Sequence, residues 1–157
     1  PLRPLALFGA GHVGAAIARM ARELPLALHW TDSRDGQFPA EPPAPGWRQE
    51  VCNPPADAVA DLAPGSAVLV MSHSHAEDFE LVAACLKRQR DAGDLAFIGM
   101  IGSHTKWASF RQRLQARGFM ASDLAGVACP IGVPGVVGKQ PAVIAVAVLA
   151  EILALPQ

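Results

Sequence analysis

The chain has no tyrosine, and aromatic residues make up only 6% of it. Without tyrosine, a dehydrogenase that moves its proton through a Tyr–Lys pair is excluded. Cysteine is scarce: Cys52, Cys85 and Cys129 are far apart and odd in number. They form neither a disulfide framework nor a Cys-x-x-Cys metal motif, so a reducing compartment, the cytoplasm, is expected. Charge of one sign is lacking too. The formal net charge is −1, so neither nucleic acid nor an anionic membrane is an expected partner. No signal-peptide pattern opens the chain. The last apolar run, Pro141 to Leu155, is too short to span a bilayer and contains Glu151. Lysine is rare beside arginine. Lys87 falls on a polar helix face, while Lys106 and Lys139 adjoin glycine-rich loops.

What is present describes a globular domain. Half of the 157 residues are apolar and 17% are charged, enough for one domain, residues 1–157, with a sizeable core. The chain opens at Pro1 without methionine, and the expectation is that it is the C-terminal part of a longer protein.

The first strong pattern is Leu5-Ala-Leu-Phe8, an apolar run that ends in Gly9-x-Gly11-His12-x-Gly14 and passes into a helical pattern. That is the context of the dinucleotide fingerprint. Gly9 turns the chain off the strand, Gly11 admits phosphate to the backbone, and Gly14 lets the helix lie close to the sheet. A second apolar run, Leu26 to Thr31, ends in Asp32, where a ribose-binding acid belongs. Arg34 follows, placed to neutralise a phosphate.

Further elements alternate along the chain. The spacing of Val13, Ile17, Met20 and Leu24 predicts a helix from His12 to Leu24. Ser33 to Gly46 reads as irregular surface. Strands are expected at Trp47–Cys52, Ser66–Met71, Leu95–Ile101 and Val127–Cys129. A short helix follows Pro54-Pro55. Ser74 and Glu77 form an S-x-x-E capping box for a helix that reaches Ala92 and is stopped by Gly93. Ser103 caps a helix with Trp107, Phe110 and Leu114 inward, ended by Gly118, and a last helix begins near Pro141. The alternation predicts a Rossmann-like, doubly wound, mostly parallel sheet in three α/β/α layers. Right-handed crossovers then bring Gly9–Gly14, Asp32–Arg34, Ser72–Asp78 and Gly99–Lys106 to the carboxyl edge of the strands, around the point where strand order reverses.

Two of these segments carry unusual chemistry. In Ser72-His-Ser-His-Ala-Glu-Asp78, His73 and His75 suit neither strand nor helix. With Asp78 they have the chemistry to bind a metal, shuttle a proton or donate hydrogen bonds to a ligand. In Gly99-Met-Ile-Gly102-Ser103-His-Thr-Lys106, a lysine in a first helical turn opposes the macrodipole, which an anion at that position would explain. Pro130 to Pro141 resembles a P-loop but fails as one. Val133 stands where the first glycine belongs and Gln140 where the Mg²⁺-binding hydroxyl belongs, so no nucleotide hydrolysis is implied. Lys139 still precedes a helix N-terminus, as a phosphate ligand would. Cys129 beside this loop reads as a small buried hydrophobe. The final helix is apolar on nearly every face, which predicts a dimer interface or contact with another domain.

Taken in order, Gly9-Ala-Gly-His-Val-Gly14, Asp32-Ser-Arg34, Ser72-His-Ser-His-Ala-Glu-Asp78, Gly99-Met-Ile-Gly-Ser-His-Thr-Lys106 and Cys129-Pro-Ile-Gly132, with Gly138-Lys139 and Pro141, resemble the C-terminal Rossmann domain of the xanthine dehydrogenase accessory proteins of the XdhC type. The resemblance covers essentially the whole chain. It implies a protein that binds the molybdenum cofactor, molybdopterin carrying Mo, and shields it. Such a protein presents the cofactor for sulfuration with a cysteine desulfurase and passes it to apo-xanthine dehydrogenase. It acts as a chaperone more than an enzyme; the apolar last helix, read from the residues, adds the expectation of a homodimer. The implied cofactor-binding set is Gly9, Gly11, His12, Gly14, Asp32, Arg34, His73, His75, Asp78, Gly102, Ser103, Lys106 and Lys139, with no catalytic residue and no metal ligand assigned. The family's N-terminal domain, with its Cys-Gly-Gly motif, is not in this sequence. Two other readings stand beside this one: a nicotinamide-dependent oxidoreductase holding NAD, and a nucleotide-sensing regulatory module.

Overall fold

A computed structural model describes residues 1–157. Six parallel strands form one sheet in the order β3-β2-β1-β4-β5-β6: β1 Arg3–Phe8, β2 Leu26–Asp32, β3 Arg48–Val51, β4 Ala67–Val70, β5 Phe97–Met100 and β6 Val127–Ala128. The helices are α1 His12–Ala21, α2 His75–Ala92, α3 His104–Ala116, α4 Ala121–Leu124 and α5 Pro141–Leu153, with a 3-10 helix at Pro55–Asp61. The expected doubly wound sheet is present, entirely parallel, and its order reverses between β1 and β4.

The sheet is covered on both faces, which explains why its central strands read as unbroken apolar runs rather than alternating ones. Leu5, Leu7, Leu28, Trp30, Ala67 and Leu69 face α1 and α5. Ala6, Phe8, Val68 and Val70 face the 3-10 helix, α2, α3 and α4. Both layers are apolar, and each fully buried aliphatic or aromatic side chain contributes about 1.5–3 kcal/mol.

Three expectations are corrected. The buried stripe of α1 is Gly14, Ala16, Ile17, Ala18 and Ala21, and the helix ends there. Val13, Met20 and Leu24 lie at its margins, half-buried. A helix held closely against both the sheet and α5 leaves room only for small side chains along the contact. The edge strands are shorter than expected: β3 is confined to Arg48–Val51 and β6 to two residues. Short edges carrying charge, here Arg48 and Glu50, resist further pairing. Between α3 and β6, where no element is expected, the chain forms α4; the Asp123 carboxylate accepts the Met120 N–H at 2.7 Å and starts it.

The apolar excess of α5 is only partly absorbed. Ala145, Ala147, Val148, Leu149 and Ile152 are buried, while Val146 and Leu153 are exposed, as are Val136 and Val137 in the preceding loop. The helix's one charge is used internally: Glu151 Oε1 accepts the Gly132 N–H at 2.7 Å. No helix is long and apolar enough to cross a membrane.

Candidate functional site

The carboxyl edge of the sheet is tied together by one chain of polar contacts. It begins at the glycine loop. Gly9 takes φ +121°, and a Cβ there would lie 2.0 Å from the Met71 carbonyl oxygen. The Gly9 carbonyl accepts from Trp30 Nε1 at 2.8 Å, and the Ala10 N–H donates to Asp32 Oδ2 at 2.8 Å. Gly14 is needed for the same reason of space, since its Cβ would lie 2.2 Å from the Gly9 carbonyl oxygen. Gly11 is different. Its φ is −76°, and a Cβ would meet nothing within 4 Å. Neither packing nor backbone conformation requires glycine there, and the start of α1 is open to approach from outside at this point. His12 beside it is exposed.

Asp32 is buried, and both of its oxygens are used. Oδ2 accepts from Ala10 N–H, and Oδ1 accepts from the Arg34 N–H at 2.9 Å and from Arg34 Nε at 3.0 Å. Arg34 Nη2 closes the fork on Oδ2 at 3.1 Å. The residue expected to hold ribose therefore braces the glycine loop, and the arginine expected to meet phosphate is folded back on it. Burial works against ionisation of Asp32, but the Arg34 side chain and the N–H groups of Arg34 and Ala10 outweigh it and hold the carboxyl below its ordinary 3.8. A lowered folded-state pKa means stability that is complete above the unfolded-state value and lost as pH falls through the folded one. Stability measured by urea unfolding is thus expected to drop below about pH 4, and Asp32→Asn is expected to flatten that part of the profile. Equal acid sensitivity of the two proteins would refute the assignment.

The first turn of α2 sends two successive carboxylates in opposite directions. Asp78 turns toward β5. It is buried, accepts the Ser72 N–H on Oδ1 at 2.8 Å, and pairs with Lys106 Nζ at 2.8 Å. Lys106 Nζ also donates to the Ile101 carbonyl at 3.1 Å and lies over the Phe110 ring at 5.4 Å. Gly102 leaves room for the lysine stem: a Cβ there would lie 2.7 Å from Lys106 Cδ. Ser103 Oγ accepts the Lys106 N–H at 3.1 Å and is the cap of α3. The ammonium is thus charge-matched before any ligand arrives.

Glu77 turns toward β2, and here the capping box is only half formed. Ser74 Oγ accepts the Glu77 N–H at 3.3 Å, but the Ser74 N–H donates to Ser72 Oγ at 3.3 Å. The Glu77 carboxylate is released and accepts from Ser33 Oγ at 2.7 Å. A nearer hydroxyl takes the N–H, and a hydroxyl from a distant loop takes the carboxylate. Sequence reasoning gave Glu77 a purely structural role, and no spacing rule links it to a serine 44 positions earlier.

Between the starts of α2 and α3, on the Asp78 side of α2, lies a cleft of ≈ 380 Å³ lined by Ser72, His73, His75, Asp78, Ile101, Gly102, Ser103 and Lys106. The N-termini of α2 and α3 both open on it, bringing unpaired N–H groups and partial positive charge. His75 is exposed and His73 partly so. Lys139 does not line this cleft. Its loop is stitched along α5 through Gly132 N–H to Glu151 and Val133 N–H to the Ala147 carbonyl at 3.1 Å. Cys129 is half-buried near the cleft. Burial pushes its thiol up, Lys106 opposes that, and Asp78 adds to it. Cys85 is fully buried and pushed up to about 12, an inert core thiol. No three of the chain's His, Cys, Asp and Glu side chains are grouped so that they could hold a metal ion.

A doubly wound parallel sheet with a fingerprint loop and a cleft at its carboxyl edge defines a Rossmann-type domain. A family model described as the XdhC Rossmann domain matches residues 5–152, and the chain belongs to that family. A crystal structure described as a xanthine dehydrogenase from Bacillus halodurans is similar with a TM-score of 0.76 and 24% identity, over 98% of this chain and 42% of that one. This chain therefore spans well under half the length of that relative. A structure of chuY from E. coli CFT073 is similar with a TM-score of 0.55 and 17% identity, over 99% of this chain and 92% of that one. At these identities the likeness establishes the fold. No curated protein matches the chain.

Proposed function

We propose that this domain holds the molybdenum cofactor for a xanthine dehydrogenase, protecting it during sulfuration and releasing it to the apo-enzyme. The observation that carries the reading is the convergence of two helix N-termini, α2 and α3, on one cleft at the carboxyl edge. Molybdopterin carries a phosphate, and backbone N–H groups at helix starts are suited to it. His73 and His75 add donors, and Ser103 and Lys106 line the same wall. Gly11, which nothing inside the protein requires, opens a second approach to backbone N–H groups at the start of α1. The cofactor brings its own dithiolene ligands for molybdenum, so the protein need not supply a metal cage. The exposed apolar side chains of α5 support the expectation of a homodimer. Apo-xanthine dehydrogenase and a cysteine desulfurase are the partners this reading requires.

The test is made on the full-length protein. It is expected to co-purify with a fluorescent pterin and molybdenum, identified by mass spectrometry. Gly11→Ala, whose added methyl group would stand in the approach to the N–H groups at the start of α1, should lower the bound pterin about tenfold, with an unchanged thermal midpoint. A protein that carries neither pterin nor molybdenum, and without which the apo-enzyme matures at the same rate, would overturn the proposal. NAD is the second reading, favoured by the fingerprint loop itself. It is weakened by Asp32, whose oxygens are both engaged. Titration with NADH up to millimolar concentration separates the two.

A further inference from the structure

The Glu77 carboxylate lies at the place where strand order reverses, where ligands of open α/β sheets bind. Its contact with Ser33 runs from the start of α2, behind β4, to the loop after β2, and so spans the end of β1. Oε2 accepts from Ser33 Oγ, while Oε1 is buried and has no hydrogen-bond partner. His73 Nδ1 is 3.8 Å away, beyond hydrogen-bond distance, and the His73 side chain is 41% exposed. Arg34, the cation on this side, is committed to Asp32. A buried carboxylate oxygen without a donor is costly, and nothing within the protein satisfies it.

We propose that Glu77 recognises the pterin ring itself, accepting the paired N–H groups of its 2-amino-4-oxo edge once His73 has moved off Oε1. The inference rests on the pterin reading and adds the residue that orients the ring. A carboxylate is acceptor-only, with about four lone-pair sites, so Oε2 keeps Ser33 while both oxygens face the ligand. The 2-amino group and N3–H present two donors side by side, which match it. Adenine presents a donor next to an acceptor on the corresponding edge and does not match, so the same residue discriminates against a dinucleotide. The ring edge then faces Glu77 on the β2 side of α2, and the phosphate faces the cleft on the β5 side.

The probes are pterin (2-amino-4-oxopteridine) and lumazine, in which a carbonyl replaces the 2-amino group, titrated into full-length protein by fluorescence. The wild type is expected to bind pterin at least about tenfold more tightly than lumazine, the effect of leaving one buried acceptor unmatched. Glu77→Gln should bring the ratio close to one. Ser33→Ala, which leaves the carboxylate in place, should keep the ratio. Thermal midpoints report that each variant is folded. A ratio near one in the wild type, or one that Glu77→Gln leaves unchanged while pterin still binds, overturns the assignment and leaves the pterin reading standing. Absence of binding by both pteridines, with no pterin co-purifying, overturns the two together.

Discussion

Gly9→Ala is expected to destabilise the domain by about 3–5 kcal/mol, the upper range for single substitutions. Two costs add. The residue sits at φ +121°, a conformation that L side chains rarely adopt, and its Cβ would lie 2.0 Å from a backbone oxygen, Met71 O, in the neighbouring β4 segment. A backbone atom cannot swing away as a side-chain tip can. Relief would require separating the ends of β1 and β4, which the Met71 N–H to Phe8 carbonyl bond at 2.9 Å holds together. For a domain of this size, 1 kcal/mol corresponds to about 2–4 °C in thermal midpoint, so a drop of about 10 °C is the expected reading. Gly11→Ala, two residues on, is the control and should fall within about 0.5 kcal/mol of wild type. A pair of variants with equal midpoints would mean that the loop is not held as described.

The second large effect is at Lys106. Lys106→Met keeps the apolar stem but removes the ammonium, leaving the Asp78 carboxylate buried without its counter-ion. Removing one partner of a buried pair costs about 3–5 kcal/mol. The side chains of Lys106 and Asp78 are only 11% and 2% exposed, so water cannot replace the lost cation cheaply. Adding Asp78→Asn to that variant removes the stranded charge while its amide oxygen can still accept the Ser72 N–H. The double variant is therefore expected to be more stable than Lys106→Met alone, by equilibrium unfolding in urea. If the single variant is near wild type, the pair is not the bolt between α2 and α3 that the geometry makes it. A double variant no better than the single would show that stem packing, not the unpaired charge, dominated. A cleft that loses this bolt should also lose its shape, so bound pterin is expected to fall along with stability.

The architecture was legible because its causes are local. Leu5-Ala-Leu-Phe8 and Ala67-Val-Leu-Val70 are apolar without alternation, the mark of strands covered on both faces. Ser74, Gly93, Ser103 and Gly118 mark helix ends that the structure keeps at those positions. Alternation of strand and helix, with right-handed crossovers, was enough to bring four loops to one edge. The α1 stripe was misplaced because periodicity ranks large apolar residues first, whereas close packing between a sheet and a second helix selects alanine and glycine. Lys139 was drawn toward the anion site by its place before a helix, but its loop is set by bonds to α5 from residues far along that helix.

The sequence by itself determined the sheet, its two covered faces and the family, because these follow from periodicity, glycine spacing and motif order along the chain. Only the tertiary structure decided what the polar groups at the edge do. Asp32 braces the glycine loop, Lys106 is neutralised by Asp78, and Glu77 leaves its cap for Ser33. The physical reason is that a side chain's partner is whichever donor or acceptor folding brings within about 3 Å. Those partners come from strands and helices tens of residues apart, where no local pattern connects them.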